Sequence, residues 1–321
     1  MEIDEYVSFL LGTAEGVSCV KVGGTLNVSH DMANRFLSMN RFTGKDLFEH
    51  ARPRLGLSGG VLTVDDSVAD KPYSSIEAND LVGMHWSGKH HKTVLGVNLV
   101  LLIYTDRDGV SLPVNFSLFD ADGDMSKHDL MQRMVLQVLG WGLRPGLVTA
   151  DSWYSSLDNL KFLRGRELGF MVGLAKNRIV SPNKGERLQV GQLAIPQEGA
   201  LVHLKGFGLV KVFRTVSLSG DVRHYAVYGH GQEQTCGRQE FKGLKKIHWQ
   251  VETTFRHLKQ FCSLEKFFVR KRQQVTNHFF CALRGVQRLL NMHRDGVIET
   301  VGAIRKIIYR NALRDFINEF A

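Results

Sequence analysis

Cysteine is scarce and scattered in this chain: Cys19, Cys236, Cys262 and Cys281 lie far apart and form no Cys-x-x-Cys pair. That spacing excludes a zinc ribbon and a disulfide framework, and it fits a reducing compartment. Long apolar runs are missing too. No stretch approaches the roughly 18 residues a membrane helix needs, and the acidic start Met1-Glu-Ile-Asp-Glu5 is unlike a signal peptide. The expectation is a soluble, intracellular protein. Acidic residues are thin in the last quarter, where residues 242–321 carry 16 Lys+Arg against 6 Asp+Glu. The whole chain has 41 basic and 32 acidic residues, so everything before residue 242 is close to neutral. A basic surface segregated in this way suits a polyanion, with nucleic acid the first candidate. There is no internal repeat or low-complexity tract. At 321 residues and 43% hydrophobic composition, the chain can bury a sizeable core divided over two or three domains.

What is present centres on Lys245-Lys-Ile-His-Trp-Gln-Val-Glu-Thr-Thr-Phe-Arg-His-Leu-Lys259, a run without Pro or Gly. Val251, Phe255, Leu258 and Cys262 recur at helical spacing. Lys245, His248, Glu252, Arg256 and Lys259 fall on another stripe, within roughly 80° at about 100° per residue. One carboxylate therefore stands in a row of cationic or titratable side chains. Such a row is either a solvated face laced with i,i+4 pairs, or a metal-binding Glu flanked by groups that grip a phosphate backbone. Partner carboxylates at strand ends would decide between them.

Residues 1–55 read as short helices with a Gly- and Val-rich loop after the first. Ser29 and Thr43 are N-caps of two of them. These two helices form either a helix-turn-helix presenting Ser29, His30, Asn34 and Arg35 to DNA, or a plain packing unit. From Gly60 an apolar strand runs to Asp65-Asp66-Ser67. A loop with His85, His90 and His91 follows, which reads as polar rather than metal-binding because no regular element supports it. Strands at 94–104 and 110–119 flank the turn Asp106-Arg-Asp-Gly109. Ser126 caps a helix to about Leu139, and a strand at 146–151 ends in Asp151. A helix at about 156–166 and a strand at 169–174 lead to Lys176-Asn-Arg178. Residues 179–240 read as a mostly antiparallel insertion, and further helices span 274–293 and 297–320.

This order gives a strand with an acid, two antiparallel strands, a helix, a strand with an acid, and a late helix carrying Glu252. It is the order of an α/β, RNase H-like fold with an inserted mainly β subdomain and flanking helical regions. Asp65 and Asp151 would then lie side by side under Glu252. Three converging carboxylates repel each other unless divalent cations neutralise them. Two Mg²⁺ ions straddling a scissile phosphate would do so.

Asp65-Asp66-Ser67, Ala150-Asp151-Ser152-Trp153-Tyr154 and the Trp249–Lys259 run, with Glu252 and Lys259 seven residues apart, resemble the motifs of the DDE transposases of bacterial insertion sequences. The resemblance spans residues 25 to 290. It implies Mg²⁺-dependent cleavage at transposon ends and strand transfer into target DNA, with Asp65, Asp151 and Glu252 as catalytic metal ligands and Mn²⁺ able to substitute. It implies terminal inverted repeats and target DNA as partners, a homodimeric synaptic complex, and a bacterial cytoplasmic, nucleoid-associated location. The candidate DNA contacts are Lys245, His248, Arg256, Lys259, Lys176 and Arg178. Lys245 and His248 stand where the family pattern has Tyr and Arg, and His248 would be cationic only part of the time near neutral pH. The insertion has no Trp of the kind that stacks on a base in relatives; Phe207, Phe213, Tyr225 or Tyr228 could substitute. Asp65 is favoured over Asp66 by the Asp-x-Ser resemblance alone. The expected divisions are residues 1–55 (DNA binding), 56–178 and 241–290 (catalytic core), 179–240 (insertion) and 291–321 (C-terminal helices). A DNA nuclease without strand transfer and a non-catalytic, domesticated DNA-binding protein remain as alternatives.

Overall fold

The first strand is longer than its sequence suggests. In the computed structural model, which describes residues 1–76, 81–88, 90–229 and 235–320, β1 (Val61–Asp70) continues five residues past Asp65. Its acids therefore lie within the strand rather than at its end, because the neighbouring strand is long enough to keep pairing with it. That neighbour, β3 (Lys92–Thr105), runs antiparallel to β1 with Asp65 opposite Leu101. It also pairs β2 (Val82–Ser87) and β4 (Ser111–Phe119). In the turn to β4, the Asp106 carboxylate accepts from the amides of Asp108 and Val110, and Gly109 takes φ +82°. β2 corrects the reading of a histidine loop: His85 sits on this strand and is buried against Phe119. His90 stands apart from it, 2.8 Å from Asp70. Residues 77–80 and 89 of that loop lie outside the described residues, as do 230–234 at the end of the expected insertion.

On the other side of β1 lie β5 (Leu147–Ala150) and β6 (Gly169–Leu174), both parallel. The order β4-β3-β1-β5-β6 is RNase H-like, as expected. The segment after β6 does not form a separate sheet. β11 (Val222–Tyr228) pairs antiparallel with β6, and β10 (Gly208–Val216), β9 (Ala200–Leu204), β7 (Ile179–Ser181) and β8 (Leu188–Gln189) extend the same sheet to eleven strands among the described residues.

Helices cover both faces. α5 (Lys127–Gly140), started by a Ser126–Asp129 capping box, and α6 (Leu157–Arg164) pack on the face that carries Leu62, Val64, Val100 and Val148. The opposite face, with Ala69, Leu99, Leu101 and Ile103, receives α7 (Arg238–Phe261) and α8 (Arg272–Arg294). Val251, Phe255 and Leu258 anchor α7 there, each buried side chain contributing about 1.5–3 kcal/mol. α1 (Ile3–Gly12), α2 (Cys19–Leu26), α3 (His30–Met39) and α4 (Gly44–Ala51) add to the same core, with Ser29 and Thr43 as N-caps of the last two. α2 occupies what the sequence presents as a loop, started by Ser18 and stopped by Asn27 in a left-handed conformation. Asn34 accepts from Gln274 of α8, and Asn277 donates to the Leu37 and Asn40 carbonyls. The Asn34 side of α3 is therefore occupied by protein, whereas His30 and Arg35 are exposed. α9 (Ala303–Phe320) enters the core only through its first turn, at Ile304 and Ile307.

Candidate active site

The parallel register of β1 and β5 sets Val64 beside Ala150, so the next residues along each strand, Asp65 and Asp151, are neighbours at one sheet edge. Ligand sites of open α/β sheets characteristically form at this carboxyl end. Alternation along β1 then separates the two candidate first acids. Asp65 shares the face of Leu101 and Ala69, on which α7 packs, and Glu252 of that helix adds to the charge acting on Asp65. Asp66 points to the other face, where Lys127 Nζ lies at 2.6 Å, Asn98 donates at 2.8 Å and the Tyr154 hydroxyl at 3.0 Å. Asp66 is thus saturated by its own chain, while Asp65 accepts from the Asp66 amide at 2.8 Å. Asp151 is fixed through Oδ1 by the amides of Trp153 at 2.9 Å and Tyr154 at 3.4 Å.

Burial pushes the Asp65 carboxyl well above the usual carboxylate range, and Asp151, Asp66 and Glu252 push it further. Asp151 is raised by burial and then by Asp66, against the two amides and Lys127. Apart from the Asp66 amide, every named group acting on Asp65 is an acid. Hard oxygen donors held together against their own repulsion fit a divalent cation. Among the described residues no three His, Cys, Asp or Glu side chains stand close enough together to hold an ion as placed. The set consists of two half-buried neighbours and a third, exposed acid on the facing helix.

The family described as transposase DDE domain matches residues 59–284, well over half of the chain. The chain belongs to the DDE transposase family. It is accordingly a metal-dependent enzyme that cleaves and transfers DNA strands, and DDE transposases use divalent metal ions. In fold this transposase resembles the piggyBac transposase seen in a synaptic complex with hairpin DNA. The TM-score is 0.57 at 12% identity, over 99% of this chain and 71% of that one. No curated protein is significantly similar to it in sequence.

The remaining expected site residues fall into three groups. Lys259 turns inward, donating to the Val68 carbonyl at 2.6 Å and pairing with Glu265 at 3.0 Å, so it ties α7 to β1. Lys245 and His248 sit by β11. The Lys245 ammonium lies 5.2 Å from the Tyr225 ring centroid, and burial together with Arg223 and Arg238 lowers its pKa. His248 is driven down to about 4 by burial, Lys245 and Arg223, so it is neutral at neutral pH rather than partly cationic. Arg256 and Lys176 are exposed, and Arg178 is half-buried with its pKa lowered by burial. The four aromatic residues of the expected insertion are inside the fold: Phe207, Phe213 and Tyr225 are buried, and Tyr228 packs on Phe170 and Phe207.

Four residues packed around the strand acids carry little or no signal in the sequence. Lys127 and Asn98 have no motif that marks them as partners of Asp66, and Tyr154 is visible only as part of the Asp-Ser-x-Tyr run. Gly173 on β6 is the fourth. A Cβ there would stand 2.7 Å from the Ser152 amide nitrogen and 3.2 Å from the Asp151 carbonyl carbon. Gly173→Ala is expected to displace the Asp151 turn, costing about 1–3 kcal/mol of stability. Strand cleavage should fall about 10–100-fold, since small misplacements of reacting groups have effects of that order. A melting curve and a cleavage rate on the same preparation check this; an unchanged rate would mean that the turn tolerates the shift.

Proposed function

We propose that this transposase cuts at the terminal inverted repeats of a bacterial insertion sequence and joins the freed ends to target DNA. Asp65, Asp151 and Glu252 would hold the metal. Divalent cations held there, in this reading two Mg²⁺ replaceable by Mn²⁺, would supply Lewis-acid chemistry to water or a 3′-hydroxyl as nucleophile and to the departing 3′-oxygen. The chain's own contribution is positional. The Trp153 and Tyr154 amides orient Asp151, β1 fixes Asp65 beside it, and the Lys259 anchor sets the height of Glu252 above the sheet. The single observation that supports this reading is the register that brings Asp65 and Asp151 next to each other along paired strands, with Asp151 and Glu252 both adding to the charge at Asp65. A homodimer bridging two ends and a location with the nucleoid in the cytoplasm complete the proposal.

The test combines purified protein, a short duplex carrying the element's end, a supercoiled plasmid and Mg²⁺, with Asp151→Ala and Glu252→Ala as controls. Cleaved ends and joined plasmid from the wild type alone support the reading. Cleavage without joining would make the protein a nuclease, and binding without cleavage in all three would make it a DNA-binding protein.

The exposed bases Lys176 and Arg256, with the excess of cations after residue 242, should contact phosphates. Each contact removed lowers the slope of log K against log salt by about 0.9. The Lys176→Ala, Arg256→Ala double variant is therefore expected to lose a slope of about 1.8, measured by titration between 50 and 200 mM salt. An unchanged slope would remove both residues from the interface.

A further inference from the structure

A cavity of about 370 Å³ opens between α1, the end of α4 and the last turns of α8, a size typical of small-molecule sites. α8 runs from Arg272, paired with Asp120 past the end of β4, to Gln287, which donates to the Pro113 carbonyl near the start of that strand. The cavity lies beyond Gln287, at the end of the sheet where β4 and β1 begin. Asp151 stands past the opposite end, where β5 stops. Arg54, Arg284 and Arg288 line the cavity, and Arg294 is bonded to the Arg54 carbonyl behind it. Asp295 pairs with Arg54 at 3.0 Å and lies 3.7 Å from Arg294, while the largely exposed Asp4 is 3.6 Å from Arg284. Four guanidinium groups thus meet two carboxylates. Two polar atoms of the wall are buried without a hydrogen-bond partner among the described residues: the donor Arg284 Nε and the acceptor Asn291 Oδ1. Each bears the cost of its desolvation until something pairs with it. His50 adds another acceptor. Gln287 uses its amide hydrogens on the Leu47 and Pro113 carbonyls, so its oxygen accepts from His50 Nδ1 at 2.7 Å and the neutral ring keeps a free lone pair on Nε2. Burial holds that ring neutral, and Met292 and Val297 make the rest of the wall apolar.

We infer that this cavity binds a nucleotide, its phosphate on Arg284 and Arg288 and an amino or hydroxyl group of its base or sugar on Asn291 and His50. Guanidinium forks match the several oxygens of a phosphate and hold them by charge-assisted bonds. A bare inorganic anion would satisfy Arg284 but fill a fraction of the volume and leave the Asn291 acceptor buried and unpaired. A neutral nucleoside would do the reverse, leaving the excess of cations without an anion. A ligand that answers both needs carries an anionic group and N–H or O–H donors on one scaffold, with a flat face for the apolar wall. The site stands apart from the strand acids and takes no part in their chemistry.

The experiment is calorimetric titration of the metal-free protein with AMP, adenosine and inorganic phosphate. Wild type, Arg284→Met, Arg288→Ala, Asn291→Ala and Asp151→Ala are compared, each after a melting curve. A hydrogen bond to a charged group corresponds to roughly 10–150-fold in affinity. AMP should bind wild type and Asp151→Ala equally, and adenosine and phosphate should each bind at least about 10-fold more weakly. Arg284→Met should weaken AMP by about 10–150-fold, and Arg288→Ala, at the exposed rim where the fold is not at stake, should weaken it in the same direction. Asn291→Ala should weaken AMP by about 3–10-fold and leave phosphate unchanged. Phosphate binding as tightly as AMP, no saturable AMP binding at millimolar concentration, or AMP binding that survives Arg284→Met and is lost in Asp151→Ala would each overturn the inference. None of these readings uses DNA cleavage, so the inference and the proposed function can fail separately.

Discussion

Asp65→Asn is expected to raise the melting temperature while abolishing strand cleavage. The raised carboxyl of Asp65 has a definite sign in the linkage between pH and stability. Below the unfolded pKa of about 3.9, both folded and unfolded chains carry the proton and the carboxyl has no net effect. As pH climbs above that value, the unfolded chain releases its proton more readily than the folded one. The folded state therefore loses stability until pH passes the folded pKa, and the loss is constant beyond it. Asparagine keeps the shape and removes the charge, so the gap between variant and wild type should open above pH 4 and close below it. Each kcal/mol released raises the midpoint by roughly 2–4 °C in a chain of this size class. Activity should move the other way, because the proposed metal site loses one of its ligands. Metal-assisted charge stabilisation contributes several kcal/mol, so a fall of about 10³-fold or more follows. Adding Mg²⁺ should stabilise the wild type, as any ligand of the native state does, and should stabilise the variant much less.

Glu252→Gln is expected to lose cleavage to the same extent with no change in stability beyond about 0.5 kcal/mol. Glu252 is exposed on α7, and the helix is held by Val251, Phe255, Leu258 and the Lys259 anchor rather than by the carboxylate. Two variants with one kinetic phenotype and different thermal signatures would be hard to explain as ordinary surface changes. A large destabilisation by Glu252→Gln would instead show that the side chain has a structural partner.

Most of the core order of strands and helices was legible in the sequence because strands buried on both faces and helix caps are local signals, and the three acids are proposed from their place in that order. Ser29, Thr43 and Ser126 cap the helices they were expected to cap. The choice between Asp65 and Asp66 was illegible for a physical reason. β1 is apolar on both sides, and only the partners on each face tell which acid is saturated. The inward turn of Lys259 and the neutrality of His248 depend on Val68, Glu265 and Arg223, which are remote in sequence or unmarked by any motif. β2 and α2 were missed for a related reason: their short segments carry Gly or polar residues, and tertiary pairing overrides weak local preference. The continuity of β11 with β6 depends on register, which alternating hydrophobicity does not report.

The most direct test of the account replaces each of the adjacent acids on β1 and measures joining of an end duplex to supercoiled plasmid in Mg²⁺. Asp66→Asn should lose stability, because Lys127 and Tyr154 lose a charged partner, but should still yield joined product at a temperature where it is folded. Asp65→Asn should be the more stable protein and yield none. Joining by Asp65→Asn at the wild-type rate would contradict the assignment of the site to the face beneath α7.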